Sequence, residues 1–129
     1  MQSFNKEERL RSKKLIEKLF AEGQSFKIFP FRVIWLNADT GTGAAASLLI
    51  SVPAKRIRKA VQRNLIRRRI REAYRKNKQI FYSTLAERGR KCVFAVIYLS
   101  GETIDYKETE GKIISLLNRL KMEYENIDR

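Results

Sequence analysis

An α+β sandwich, with about four strands in a mixed sheet and helices packed on it, is predicted by three observations. Two runs, 31–36 and 44–52, alternate in the manner of half-buried strands. The stretch 54–88 has no internal Pro or Gly and carries apolar residues at helical spacing. A nearly continuous apolar run, 92–99, then follows it. Strands on either side of one helix make a β-α-β crossover, so the sheet is mixed, with the helices on one face.

Taken in order, residues 5–22 read as a first helix. Leu15, Ile16, Leu19 and Phe20 form its apolar stripe, Ser12 is a candidate N-cap, and Gly23 stands at the stop. Residues 24–29 form a short extended piece ahead of Pro30. In the strand 31–36, Phe31, Val33 and Trp35 share one face, and Arg32, Ile34 and Leu36 the other. The cluster Asn-Ala-Asp-Thr-Gly-Thr-Gly at 37–43 lacks the Gly-Lys-Ser/Thr of a phosphate loop and reads as a hairpin connection. Strand 44–52 ends at Pro53. The long helix extends towards Ala86 with a break near Asn77. Run 92–99 has the pattern of a strand covered on both faces, which makes Cys92 a packing residue. Asp105-Tyr-Lys-Glu108 has the form of a capping box and opens a last helix to about Tyr124. Its core stripe is Ile113, Leu117, Leu120 and Tyr124. The acids around its start suit the helix dipole better than a catalytic carboxylate pair.

Charge is concentrated in residues 55–78. Twelve basic residues against one acid, Glu72, leave +11 of the chain's net +14 in this segment. At 100° per residue, Ile66, Ile70, Ala73, Asn77 and Ile80 form a core-facing stripe flanked by Tyr74 and Phe81. A second sector holds Asn64, Arg67, Arg68, Arg71, Arg75 and Lys78. Were the helix to begin near Lys55, five like-charged i, i+4 pairs would oppose it by roughly 1–2.5 kcal/mol. A solvated face mixes signs and avoids this cost, whereas a polyanionic partner removes it. Arg outnumbers Lys here, and its planar fork matches phosphate oxygens and stacks on bases. The apolar stripe is needed for the core, so the pattern favours nucleic acid over a membrane surface.

Composition bounds the rest. A chain of 129 residues that is 43% hydrophobic fits one domain, residues 1–129, with a core of its own. No apolar run approaches the length of a membrane span, and residues 1–8 contain no secretory hydrophobic block. A single cysteine permits no internal disulfide, and the expected location is the cytoplasm. The chain has no histidine, so a Ser-His-Asp triad or a His–Cys zinc cluster cannot form. No metal site is expected in the protein.

The block Arg63-Asn64-Leu65-Ile66-Arg67-Arg68, followed by Ile70-Arg71-Glu72-Ala73-Tyr74 and preceded by Ser51-Val52-Pro53-Ala54-Lys55-Arg56, resembles the signature of the bacterial ribonuclease P protein component. Residues 10–23 match that family's first helix, which ends Phe-x-x-Gly, and the last strand and helix fit too. Leu65 stands where the family has a second Arg, and Arg67 where it usually has Lys. The resemblance implies an α/β sandwich of the ribosomal protein S5 domain 2-like class, with a left-handed β-α-β crossover around the basic helix. It implies a non-catalytic protein subunit of an RNA-based endoribonuclease that removes the 5′ leader of precursor tRNA. Mg2+ is then expected in the RNA active site. The partners would be the catalytic RNA subunit and the precursor tRNA, with no DNA and no membrane. By position, Arg63, Asn64, Arg67, Arg68 and Arg71 are assigned to the catalytic RNA, with Arg75, Lys55 and Arg56 in support. Phe20, Phe31 and Ile34 are candidates for a cleft holding the leader, with Trp35 able to replace Ile34. For Phe20, core packing is the competing reading. The runner-up function is a ribosomal or ribosome-assembly protein that binds structured RNA without catalysis. A DNA-binding helix is disfavoured, because no short helix of a helix-turn-helix precedes the basic one.

Overall fold

The computed structural model describes residues 4–127. A 3-10 turn at Lys6–Glu8 precedes α1 (Lys13–Glu22), β1 (Gln24–Ile28), β2 (Phe31–Asn37) and β3 (Ala46–Ser51). Then come α2 (Ala60–Asn77), α3 (Gln79–Arg88), β4 (Cys92–Tyr98) and α4 (Tyr106–Asn126). The sheet order is β1-β2-β4-β3. Its β3–β4 pair is parallel, and the other two pairs are antiparallel. The α+β sandwich with a mixed four-stranded sheet therefore stands, as does the crossover through α2.

Strand β4 explains the topology. Its residues are apolar on both sides, and all but Ile97 are buried. Such a strand belongs at the centre, where neighbours satisfy its backbone and both faces are covered. It inserts between β2 and β3, so residues 37–43 are not a hairpin connection. They carry the chain across β4 from one neighbour to the other. A β2–β3 hairpin would have left β4, apolar on both faces, at an edge. The hairpin of this sheet is β1–β2, turning at the cis Phe29-Pro30 bond.

Both faces of β4 need cover, and this corrects the expectation of helices on one face. On the first face lie α2, α3 and α4, over Phe31, Val33, Trp35, Leu48, Phe94 and Val96. Aromatic rings interlock there, with Trp35–Tyr124 and Phe81–Tyr124 centroids each 5.3 Å apart. The α2 stripe contributes Ile66, Ile70, Ala73 and Tyr74. Each buried Ile stabilises the fold by about 1.5–3 kcal/mol. On the second face α1 sets Leu19, with Leu10 just ahead of it, against Ile34, Val93 and Ala95. Gly23 permits this close approach, since a Cβ there would lie 2.4 Å from the Leu19 carbonyl oxygen and 2.8 Å from Ile34 Cγ2.

Two helix starts differ from the periodicity. α1 begins at Lys13 rather than near residue 5, with the Ser12 hydroxyl accepting from the Leu15 N–H. The preceding segment is extended. Arg9 bridges to Leu48, and the Leu10 N–H donates to the Leu48 carbonyl at 3.0 Å. α2 begins at Ala60 rather than near Lys55. Residues 53–59 form a turn in which the Pro53 carbonyl accepts from the Arg56 and Ile57 N–H groups and Ile57 is buried. The anticipated break near Asn77 falls at Lys78, between α2 and α3.

Candidate nucleic-acid interface

The outward side of α2 carries Asn64, Arg67, Arg68 and Arg71, three or four residues apart, as helical spacing dictates. Arg67 donates to the Asn64 side-chain oxygen at 3.0 Å, which fixes both ends of that pair. Arg71 is partly buried. Its guanidinium is held below the ordinary arginine range, first by burial and then by repulsion from Arg9, Arg67 and Arg68. Among the described residues, none of Arg9, Arg11, Arg67, Arg68 and Arg71 has a carboxylate within ion-pair distance.

Other members of the basic stretch are engaged within the protein. Arg63 turns back and donates to the Ile57 and Arg58 carbonyls at 3.0 and 2.7 Å, closing the loop ahead of its own helix. Arg69 donates to the Ile104 carbonyl and ties α2 to the entry of α4. Arg75 pairs with Glu72, one turn away on the same helix. Lys78 departs from the predicted cationic sector altogether. It is 6% exposed, and its Nζ lies 3.0 Å from both carboxylate oxygens of Glu8, itself 4% exposed. The Tyr82 hydroxyl also donates to Glu8. Lys78 keeps helical dihedrals, and what buries it is the segment bearing Glu8, packed against the α2–α3 junction, which a helical wheel of α2 alone could not register.

Two contributors were missed by helical periodicity, because they are not on a helix. Arg9 and Arg11 lie on the extended segment before α1. With Leu10, Arg67, Arg71, Phe4 and residues 48–50 they line one groove. The signal available in the sequence was the alternation Arg9-Leu10-Arg11, with the apolar residue between two basic ones.

A second basic surface lies on the sheet face that α1 covers only in part. Register aligns Lys27, Arg32, Ile97 and Ser51 in one row across the four strands. Ile34, Ala95 and Leu49 form the adjoining row towards α1. Lys27 and Arg32 are exposed, and Ile97 and Ser51 partly so. Because β3 ends at Ser51, the loop bearing exposed Lys55 and Arg56 leaves the sheet at this end.

The three cleft candidates do not converge. Ile34 belongs to this second face and is nearly buried beneath α1. Phe20, on α1, is 49% exposed, which answers the core-packing alternative in favour of a surface ring. Phe31 is wholly buried on the opposite face, its ring 5.9 Å from that of Tyr98. Trp35 is likewise buried, against Tyr124. Strand alternation dictates this, since odd-numbered residues of β2 face α4 and even-numbered ones face α1. Arg32, two residues before Ile34, is the β2 side chain that replaces Phe31 on the open face.

Cys92 is fully buried, and burial pushes its thiol up to about 12, which makes it a poor nucleophile. Among the described residues no His, Cys, Asp or Glu cluster has the form of a metal site. None of their helices is long and apolar enough to cross a membrane. What the surface offers chemically is a set of forked cations for phosphate oxygens.

The chain is similar to known proteins in sequence and in fold. Residues 4–121 match the family model described as Ribonuclease P. The ribonuclease P protein component of Porphyromonas gingivalis is 36% identical over 116 residues, covering 90% of this chain and 85% of that protein. That of Petrotoga mobilis is 30% identical over 123 residues, covering 93% and 97%. The solved RNase P protein from Thermotoga maritima superposes with a TM-score of 0.68 at 28% identity, over 87% of this chain and 96% of that one. The Staphylococcus aureus RNase P protein gives a TM-score of 0.69 at 21% identity, over 87% and 94%, a likeness of fold.

Proposed function

The chain belongs to the ribonuclease P protein family and is the protein subunit of that tRNA-processing ribonucleoprotein, and from this premise we propose how its basic surfaces divide the work. The α2 face, through Asn64, Arg67, Arg68 and Arg71, neutralises phosphates of the catalytic RNA. Arg63 acts in the same place chiefly by holding the loop that presents Lys55 and Arg56. Arg75 supports this face from its pair with Glu72.

The partly open sheet face receives the single-stranded 5′ leader of precursor tRNA. Ile97 and Leu49 supply an apolar floor beside the buried Ile34, Lys27 and Arg32 supply phosphate contacts, and the Phe20 ring offers a surface on which an unpaired base can stack. The protein contributes no catalytic side chain. Magnesium chemistry belongs to the RNA, and the complex works in the cytoplasm.

The observation that carries this reading is the cluster of Arg67, Arg68 and Arg71, in which the first two repel the third and, among the described residues, no carboxylate lies within ion-pair distance. Such an arrangement opposes folding slightly and is relieved by a polyanion. The test is reconstitution with a bacterial ribonuclease P RNA and a precursor tRNA carrying a 5′ leader, at magnesium too low for the RNA alone. Restored cleavage at the mature 5′ end is expected, and it should weaken as the leader is shortened. A folded protein that gives no stimulation, with an RNA that responds to its own protein, would overturn the assignment of this role.

A further inference from the structure

We propose that Arg9 and Arg11 complete, with Arg67 and Arg71, a groove that grips consecutive phosphates of the RNA subunit, and that the buried Glu8–Lys78 pair is the positioning element that holds the segment there. The proposal rests on the ribonuclease P reading for the identity of the RNA.

Segment geometry comes first. Residues 9–11 are laid beside the outer edge of β3, by the Arg9–Leu48 bridge and the Leu10 N–H to Leu48 carbonyl bond. In an extended chain neighbouring side chains point to opposite sides. Leu10 is buried under α1, so Arg9 and Arg11 take the other side and are exposed. There they meet Arg67 and Arg71 in one groove of ≈ 240 Å³. Arg9 is near enough to act on Arg71 as the largest of its like-charge neighbours. The Arg9 guanidinium also lies over the Phe4 ring, 5.6 Å from its centroid, and Phe4 packs edge-on against Tyr74 of α2. Cation stacking of this kind leaves the donor edge of the fork free to face an anion.

Four forked cations from two separate segments, with no acid among them, suit a run of phosphates better than one isolated anion. A helix face alone presents charges in a line. The added segment gives the line a second wall, and so a direction for the RNA backbone to follow.

Positioning comes from Glu8, the residue next to Arg9. Its carboxylate is buried and accepts from Lys78, from Tyr82 and from the Asn5 N–H at 2.9 Å. Tyr82 is joined in turn to Tyr74 at 2.8 Å. This network ties Asn5 and Glu8, immediately ahead of Arg9, to the α2–α3 junction. Neither Glu8 nor Lys78 lines the groove, so a positioning role requires that their effect on RNA pass through Arg9 and Arg11.

The experiment measures binding of the whole chain to a bacterial ribonuclease P RNA across a series of KCl concentrations. In Arg9→Ala with Arg11→Ala, both exposed, the slope of log affinity against log salt should shrink by about 1.4–1.8, at roughly 0.7–0.9 per phosphate released. A wild-type slope in that variant overturns the groove. Glu8→Gln should reproduce part of the loss in the wild-type background and add nothing in the Arg9/Arg11 variant. Equal losses in both backgrounds overturn the positioning role. Should Glu8→Gln fail to fold, Tyr82→Phe removes one donor to Glu8, keeps the ion pair, and decides by the same non-additivity. Cleavage stimulation by the wild-type protein, measured alongside, reports separately on the ribonuclease P reading. If stimulation is absent while RNA binding persists, that reading fails and the slopes still decide the groove. A wild-type protein that binds no RNA overturns both.

Discussion

Arg71 and Lys78 lie on the same basic stretch and have opposite surroundings. Lys78 is buried against Glu8 and Tyr82, every charge answered. Arg71 faces Arg9, Arg67 and Arg68 and has no acid among the described residues. Both are cations of similar reach, so residue type does not separate them. The difference is made by the N-terminal segment, which sets the Glu8 carboxylate against Lys78 and the Arg9 guanidinium near Arg71. A cation whose partner is within the chain serves the fold. A cation set among its own kind weakens the fold slightly and is left for a partner outside.

The largest effect expected from this contrast is on stability. Lys78→Met removes one half of a buried pair and leaves the Glu8 carboxylate without its countercharge, a loss of about 3–5 kcal/mol. Urea unfolding should show the midpoint falling sharply. A loss below about 1 kcal/mol would mean that the pair is not what fixes the N-terminal segment. Next in size is the reverse case. Arg67→Ala with Arg71→Ala should weaken binding to the catalytic RNA roughly 10- to 100-fold, since charge-assisted hydrogen bonds are lost. In the same variant the urea midpoint should hold or rise. Three like-charged contacts at i, i+4, Arg63/Arg67, Arg67/Arg71 and Arg71/Arg75, are relieved, worth about 0.2–0.5 kcal/mol each. Unchanged RNA affinity in this folded variant would remove α2 from the interface and break the contrast.

The sequence was legible where a single periodicity runs unbroken. The α2 stripe Ile66, Ile70 and Ala73, the all-apolar β4 and the Asp105 cap of α4, whose carboxylate accepts from the Glu108 N–H at 2.8 Å, are all local patterns. What was not legible depends on contacts distant in sequence. The 37–43 cluster has hairpin chemistry, yet β4, some fifty residues later, takes the place a hairpin partner would have filled. The first helix starts about two turns late, at Lys13, because Glu8 ahead of it is held by Lys78, seventy residues away. Phe31 reads as a cleft aromatic only until the register shows which face of β2 is covered by α4. The α2 part of the interface was readable for the same reason as the core, since one helix carries it. Arg9, Arg11, Lys27 and Arg32 were not, because their place follows from the sheet.

Arg63 lies between the two classes and sharpens the distinction. Its Nη1 is engaged with the Ile57 and Arg58 carbonyls, while the side chain remains partly exposed at the start of the cationic face. Arg63→Ala should lower stability by about 1 kcal/mol through lost hydrogen bonds. It should change the salt slope of RNA binding less than Arg71→Ala does. The reverse order of slopes would place Arg63 with the outward-facing arginines, its loop contacts being secondary.

The smallest expected effect tests the buried side of the contrast with a group that titrates. Cys92 lies at the start of β4, fully buried, and its thiol is pushed up to about 12 by desolvation. In the unfolded chain a cysteine ionises near about 8.5. The folded value is therefore the higher one. The native state keeps its proton where the unfolded state has already lost it, so this contribution to stability is whole below about pH 8.5 and declines as pH rises from there towards 12. Within that window native Cys92 should react with an aromatic disulfide reagent only as fast as the protein opens. The logarithm of its rate should rise in Lys78→Met in proportion to the lost stability, and the rate should hold or fall in Arg67→Ala with Arg71→Ala. Equal acceleration in both variants would mean that the arginine cluster also stabilises the core, and the line drawn between the two sets of cations would then be in the wrong place.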